Sequence, residues 1–208
     1  SVAFAARLLE QNIQVRVIDK NSILSGHVLS RGSVAVIAMD NPTSNNLHEI
    51  IRTVATDLNI SVVSIESGFG LKELPDWGGR HFRLLKRPQI AILSHAGFNS
   101  YDVGVSWWSL DHHLGIRHSQ LNSSLTGYGD LRRYNTIVMP SGNPDLGDYA
   151  KKMLMDWVKQ GGTLIANNRS TRSIISNDAM GSVKSLSTTF DKSKTYNIDL
   201  MREIYSIE

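Results

Sequence analysis

The chain has 208 residues, is 41% hydrophobic and 20% charged, carries a formal net charge of +3 and contains no cysteine. This is the composition of an ordinary globular protein. It excludes disulfides, thiolate metal sites and cysteine nucleophiles. No apolar run approaches the roughly 20 residues of a membrane-spanning helix, so membrane insertion is not expected. The basic residues read as scattered rather than gathered into the stripe of a nucleic-acid footprint, and no nucleic-acid partner is expected.

In chain order, Val2, Ala5, Ala6 and Leu9 recur at helical spacing, and Asn12 is a stop signal. Ser1 leads straight into that helix, as expected of a piece cut from a longer protein. Val15–Ile18 reads as a strand, the polar stretch 21–33 as loop or hairpin, and Val34–Ala38 as a second strand. Pro42 stops that strand, and Ser44 or Asn45 is placed to cap a helix over Leu47, Ile50, Ile51, Val54 and Leu58. The β-branched run Ile60–Ile65 predicts a third strand. Residues 66–87 lack periodicity and hold Gly68, Gly70, Pro75, Gly78 and Gly79. An irregular stretch of that length is unusual inside a compact domain, so it predicts a connection between an N-terminal α/β sub-module over 1–87 and a second domain over 88–208.

The second part opens on Gln89–Ser94, a short apolar run that breaks into small and polar residues, as a buried parallel strand does at the carboxyl edge of its sheet. A helix over Asp102–Leu114 ending at Gly115, a short strand over Ile116–Gln120, one helical turn over 130–134 and a strand over Ile137–Met139 follow. A strong helix is expected over Pro144–Gln160, closed by Gly161 and Gly162, then a strand over Thr163–Ala166. This alternation predicts a doubly wound, mainly parallel α/β sheet. A strand near Ser185–Phe190 and a terminal helix are expected in the Ser- and Lys-rich remainder.

Parallel topology brings three polar loops to one sheet edge: Ser94–Gly97, Ser141–Asn143 and Asn167–Ser170. In open α/β sheets ligands bind at that edge. His95, Asn99, Tyr101, Ser141, Asn143, Asn168 and Arg169 are the candidate lining of a small polar pocket there, Arg169 as a carboxylate or phosphate contact. The opposing reading makes them loop and cap residues, Ser141 and Asn143 capping the helix from Pro144. Serine hydrolysis by Ser141 or Ser170 with His95 is a third possibility, and needs the serine within reach of the base. The Asp111-His112-His113 cluster with His118 invites a metal. Adjacent helical histidines point about 100° apart, which favours a helix-end role. Of Trp107 and Trp108, which cannot both face one core, one is expected to be partly exposed as an interaction surface.

The run RPQIAILSHAGFNSYDVGVSWWSLDHHLGI, then DLRRYNTIVMPSGN and MDWVKQGGTLIA, resembles the class I glutamine amidotransferase-like domain, in the form attached C-terminally to bacterial zinc carboxypeptidases of the carboxypeptidase A type. RGSVAVIAMDN and PDWGGRHFRLLKRP resemble the lead-in of those proteins. The resemblance spans about Val15–Ala166 and implies a flavodoxin/amidotransferase-like three-layer architecture, a catalytic peptidase domain of the same chain as partner, and periplasmic or secreted placement. A working amidotransferase carries Gly-x-Cys-x-Gly on a tight turn, followed later by His and Glu. Here that turn reads Asn167-Asn168-Arg169-Ser170, and no histidine follows His118. No histidine begins the His-x-x-Glu of the peptidase zinc site either. The resemblance thus implies a non-catalytic accessory domain without a cofactor of its own, zinc being expected only in the peptidase domain. A small-ligand module at the strand edge is the alternative.

Overall fold

The computed structural model describes residues 2–122, 130–175 and 183. The expected elements near 185–190 and at the chain end lie outside the described residues. The chain divides into two compact units, Ser1–Gln89 with Trp107–His118 and Ile90–Ser106 with Ser119–Glu208.

The first unit starts with helix α1 (Val2–Glu10), which buries Phe4, Ala5, Ala6, Leu8 and Leu9. Asn12 stops it as expected. Asn12 takes the left-handed conformation, φ +61, which asparagine tolerates better than most residues. Ile13 N–H then returns to Leu8 O at 3.0 Å. Strands β1 (Arg16–Ile18), β2 (Ser22–Leu24), β3 (His27–Leu29) and β4 (Val34–Ala35) follow, then helix α2 (Leu47–Asp57). The N-cap of α2 is Asn46, with no side-chain cap, rather than Ser44 or Asn45. The buried residues Leu8, Leu9, Ile13, Val15, Leu47 and Val54 form one core. Ile18, Leu24 and Phe82 form a second, with Ile65 and Trp77 packed on it.

Two expectations for this unit are corrected. Ile60–Ile65 is not a strand, and Ser61, Val62, Val63 and Ser64 are exposed. β-branched residues fit a pleated surface only where a neighbouring strand exists to pair with. The stretch 66–87, read as connection, instead supplies strand β5 (Phe82–Leu84). β5 and β4 flank β1, both antiparallel, in the order β4-β1-β5. The parallel sheet is therefore confined to the second unit.

Ion pairs tie the first unit together. Arg16 Nε and Nη2 bind both oxygens of Asp40, at 2.6 and 2.9 Å. Asp19 accepts from His81 Nδ1 and Arg83 Nε, each at 2.7 Å. The Arg16 hydrogen bonds hold the Asp40 carboxyl below its ordinary range, against the opposing effect of burial. A depressed carboxyl stabilises the fold above its unfolded pKa of about 3.9 and loses that contribution as pH falls through the folded value. In Asp40→Asn the acid limb of a melting-temperature profile between about pH 2 and 5 is expected to flatten, with about 1 kcal/mol lost at neutral pH. An unchanged acid limb would show that the pair is idle.

The second unit is built on strands β6 (Ile90–Ser94), β7 (His118–Asn122), β8 (Thr136–Met139) and β9 (Thr163–Ala166), in the order β7-β6-β8-β9. Among these, β6, β8 and β9 run parallel, with Ile90 opposite Thr136 and Met139 opposite Ala166. Every residue of β6 is buried, as its continuous apolar run requires. Ala91, Leu93, Ile137 and Met139 pack with Leu146, Leu154, Met155 and Trp157 and with Ile174. Most of these partners belong to helix α4 (Asp148–Lys159), and Ile174 to helix α5 (Ser170–Ile175). This is a mixed α/β fold with a helix-flanked parallel sheet.

Helix α3 (Ser100–Trp108) continues as a π-helix over Ser109–Leu114. Gly115, at φ 68 and ψ 31, ends it as the sequence predicts. Trp107 and Trp108 are 41% and 50% exposed, so both, not one, are partly open. The Trp108 ring stacks on His112 with centroids 5.1 Å apart. Helix α4 begins at Asp148 with Gly147 as its N-cap, not near Pro144. Pro144 and Leu146 are buried in an irregular lead-in. Among the described residues no helix is long and apolar enough to cross a membrane.

Candidate functional site

The carboxyl ends of β6 and β8 are adjacent because these strands pair in register. The loops that follow are bonded to each other. Asn99 N–H donates to Ser141 O at 2.8 Å, Asn143 N–H donates to Gly97 O at 2.7 Å, and Phe98 bridges Gly142 antiparallel. Two glycines make this approach possible. A Cβ on Gly97, whose φ is +86, would lie 2.5 Å from Pro144 Cα and 2.8 Å from Asn143 O; one on Gly142 would lie 2.7 Å from Phe98 Cα. All three distances are shorter than a Cβ atom can approach. Main chain from one loop therefore occupies the space over the other.

His95 follows β6 directly, at φ +70, and is exposed. Its Nδ1 meets Ser94 Oγ at 2.8 Å. Ser94 is 2% exposed and its hydroxyl donates to Leu121 O at 3.4 Å. The Ser94 hydroxyl lies between the His95 ring and Leu121 O. The ring is thus oriented by Ser94, not by Ser141 or Ser170. Asn99 caps α3: its Oδ1 accepts from Tyr101 N–H at 2.9 Å and Asp102 N–H at 3.4 Å. Tyr101 itself is 84% exposed.

Ser141 and Asn143 do not cap α4, which starts too late for that. They carry the main-chain bonds described above. In the third loop, Asn167 N–H donates to Met139 O at 2.9 Å, and Asn168 stands at φ +50. Asn168 O accepts from Thr171 Oγ1 at 2.6 Å. The side chains of Asn168 and Arg169 are exposed and have no hydrogen-bond partner among the described residues. Ser170 is fully buried and its hydroxyl donates to Pro140 O. The structure therefore brings His95, Asn99, Ser141 and Asn143 together through their backbones and leaves Asn168 and Arg169 on a separate loop.

Sequence reasoning missed Ser94, Gly97 and Gly142 as the residues that shape this edge. The readable signal was a glycine placed just past each of two parallel strands, where a close main-chain approach is the common reason for glycine. Among the described residues no group of three His, Asp or Glu side chains is placed to hold a metal ion. No protein-family model and no curated protein matches the chain.

Proposed function

We propose that the chain is a non-catalytic accessory domain of flavodoxin/amidotransferase-like, three-layer architecture, attached to a zinc carboxypeptidase-like enzyme and serving to pack against it or to guide substrates and partners to it. The observation that carries this reading is the bonded pair of loops over β6 and β8. In strand order the second sheet reads 2-1-3-4 within its unit, and the order reverses at the β6–β8 pair. That is where a doubly wound sheet opens its ligand crevice. Here main chain fills the position. The turn after β9, where an amidotransferase would hold its cysteine, carries Asn168 in a left-handed conformation and a buried Ser170 whose hydroxyl is already committed. The exposed pair Trp107 and Trp108 supports a docking role. The peptidase partner, its zinc and a periplasmic or secreted location rest on the family resemblance alone.

The coding sequence upstream of Ser1 tests the parent enzyme: a His-x-x-Glu zinc motif is expected there, and its absence removes the peptidase. Turnover tests the domain itself. The purified chain is expected to hydrolyse neither glutamine nor p-nitrophenyl acetate above the buffer rate. Saturable turnover lost in His95→Ala would overturn the accessory reading.

One observation favours a second reading. His95 presents an oriented imidazole at a left-handed backbone position, and such strain clusters at functional sites. A ligand hydrogen-bonded to Nε2 would make this edge a small-molecule module. Chemical-shift changes centred on His95 and Asn99 in a fragment screen are the expected signature of that module.

A further inference from the structure

Strand β5 presents an open edge. Asp19 N–H donates to His81 O at 3.0 Å and Leu85 N–H donates to Val15 O at 2.8 Å. Val17 lies opposite Arg83, midway between those pairs. In an antiparallel ladder directly opposed residues alternate between bonded and non-bonded pairs. His81, Arg83 and Leu85 therefore turn their main-chain groups to β1, while Phe82, Leu84 and Lys86 turn theirs away. Phe82 is already served: its N–H donates to Gly79 O at 3.1 Å and its carbonyl accepts from Arg16 Nη1 at 3.0 Å. Leu84 is not. β5 is the outer strand of its sheet, and the Leu84 N–H and C=O have no partner among the described residues.

The flanks of this edge carry one sign of charge. Residues 77–101 contain no Asp or Glu, and Arg80, Arg83, Lys86 and Arg87 all fall within 80–87. Along the whole sequence the basic residues look scattered; here β5 gathers four of them onto one strand and its ends. Asp19 engages Arg83, which is still 72% exposed, and Glu10 engages Arg87. Arg80 and Lys86 are exposed and have no acidic partner among the described residues. Leu84, in the middle, is 51% exposed.

We propose that this edge takes up an extended acidic peptide as an added strand, with main-chain bonds to Leu84 and Lys86, an apolar residue opposite Leu84, and Asp or Glu to either side toward Arg80 and Lys86. Strand addition draws affinity from main-chain bonds and specificity from alternate side chains. The charges select against a second copy of this chain, because pairing two β5 edges would bring two sets of Arg80, Arg83, Lys86 and Arg87 together. Basic residues on an edge also guard against unspecific strand pairing. Here that guard defines the sign of the partner.

The test is fluorescence anisotropy of the full chain with a labelled, end-capped Glu-Thr-Val-Thr-Glu peptide, whose alternate residues place Val opposite Leu84 and Glu on the same face to either side. Three further probes run beside it: the Lys-for-Glu counterpart, the acidic peptide N-methylated at the residue that would bond Leu84, and a single-stranded DNA oligonucleotide. Saturable binding of the acidic peptide is expected, with none by the lysine peptide and a loss of about tenfold or more on N-methylation. Leu84→Pro is expected to lose a similar factor while keeping its circular dichroism and melting temperature, since a proline is tolerated where the N–H faces away from the sheet. The double change Arg80→Glu with Lys86→Glu is expected to weaken binding about tenfold and flatten its salt dependence. Should Leu84→Pro unfold the chain, the N-methylated peptide, which leaves the protein untouched, decides alone. No binding of the acidic peptide at about 1 mM overturns the proposal. So does equal binding of the N-methylated peptide, which would mean charge attraction without strand addition. Tighter binding of the oligonucleotide would make the strip a nucleic-acid contact instead.

Discussion

Gly142→Ala is expected to destabilise the second unit by about 3 kcal/mol or more, which places it among the severe single substitutions. The added Cβ would stand 2.7 Å from Phe98 Cα, and that neighbour is main chain. A flexible side chain could swing aside; a bonded loop has to move as a whole. The movement would break the Asn99–Ser141 and Asn143–Gly97 bonds, each worth about 1 kcal/mol net and more where the freed groups stay buried. Overpacking and lost hydrogen bonds therefore add. Gly104→Ala is the matched control. It lies inside α3 with open space around its Cβ position, and alanine there is expected to stabilise by about 0.5–1 kcal/mol. Urea titration of both variants decides the point. A midpoint for Gly142→Ala close to that of the parent chain would show that the two loops are not bonded in solution.

Leu93→Ala is expected to cost about 2–5 kcal/mol. Leu93 is fully buried on the central strand of the parallel sheet, in the cluster with Met139, Leu154 and Trp157. The removed atoms forfeit transfer free energy, and the gap stays open because β6 is held by strands on both sides and cannot collapse inward. Ile165→Ala on the outer strand β9 is the contrast. Ile165 is 45% exposed, and its loss is expected to stay below about 1 kcal/mol. Equal denaturation midpoints for the two variants would mean that β6 is not the centre of the sheet.

The second unit was largely legible in the sequence, and the reason is physical. A strand buried on both faces must be apolar throughout, so Ile90–Ser94 announces itself, and Thr136–Met139, which buries Ile137 and Met139, shows a similar apolar run. Glycines end α4 and the π-helical continuation of α3 where the backbone needs them. Less of the first unit could be read. Its strands are two or three residues long, too short for alternation to register. Phe82–Leu84 was hidden among glycines and cations, and Ile60–Ile65 showed strand propensity with nothing to pair against. The candidate edge was located through topology, but its state was not. Whether two loops leave a crevice or close on each other depends on contacts between positions over forty residues apart, Gly97 and Gly142. No local pattern encodes that distance. The start of α4 was misplaced for a related reason. Pro144 looks like a first helical residue, yet its neighbour Asn143 is held by Gly97, and the chain turns helical only after Gly147.

The ties between the loops at 97–99 and 141–143 involve no ionisable group. They are amide-to-carbonyl bonds made possible by two missing side chains, and the Ser170 hydroxyl beneath the same edge is neutral as well. The first unit is fastened differently, by Arg16–Asp40, by Asp19 with His81 and Arg83, and by Glu10 with Arg87. Ionic strength and acidity act directly on the second kind of fastening and not on the first. Changes of salt or pH thus act directly on the fastenings of the β4-β1-β5 sheet and not on the amide-to-carbonyl bonds between the two loops.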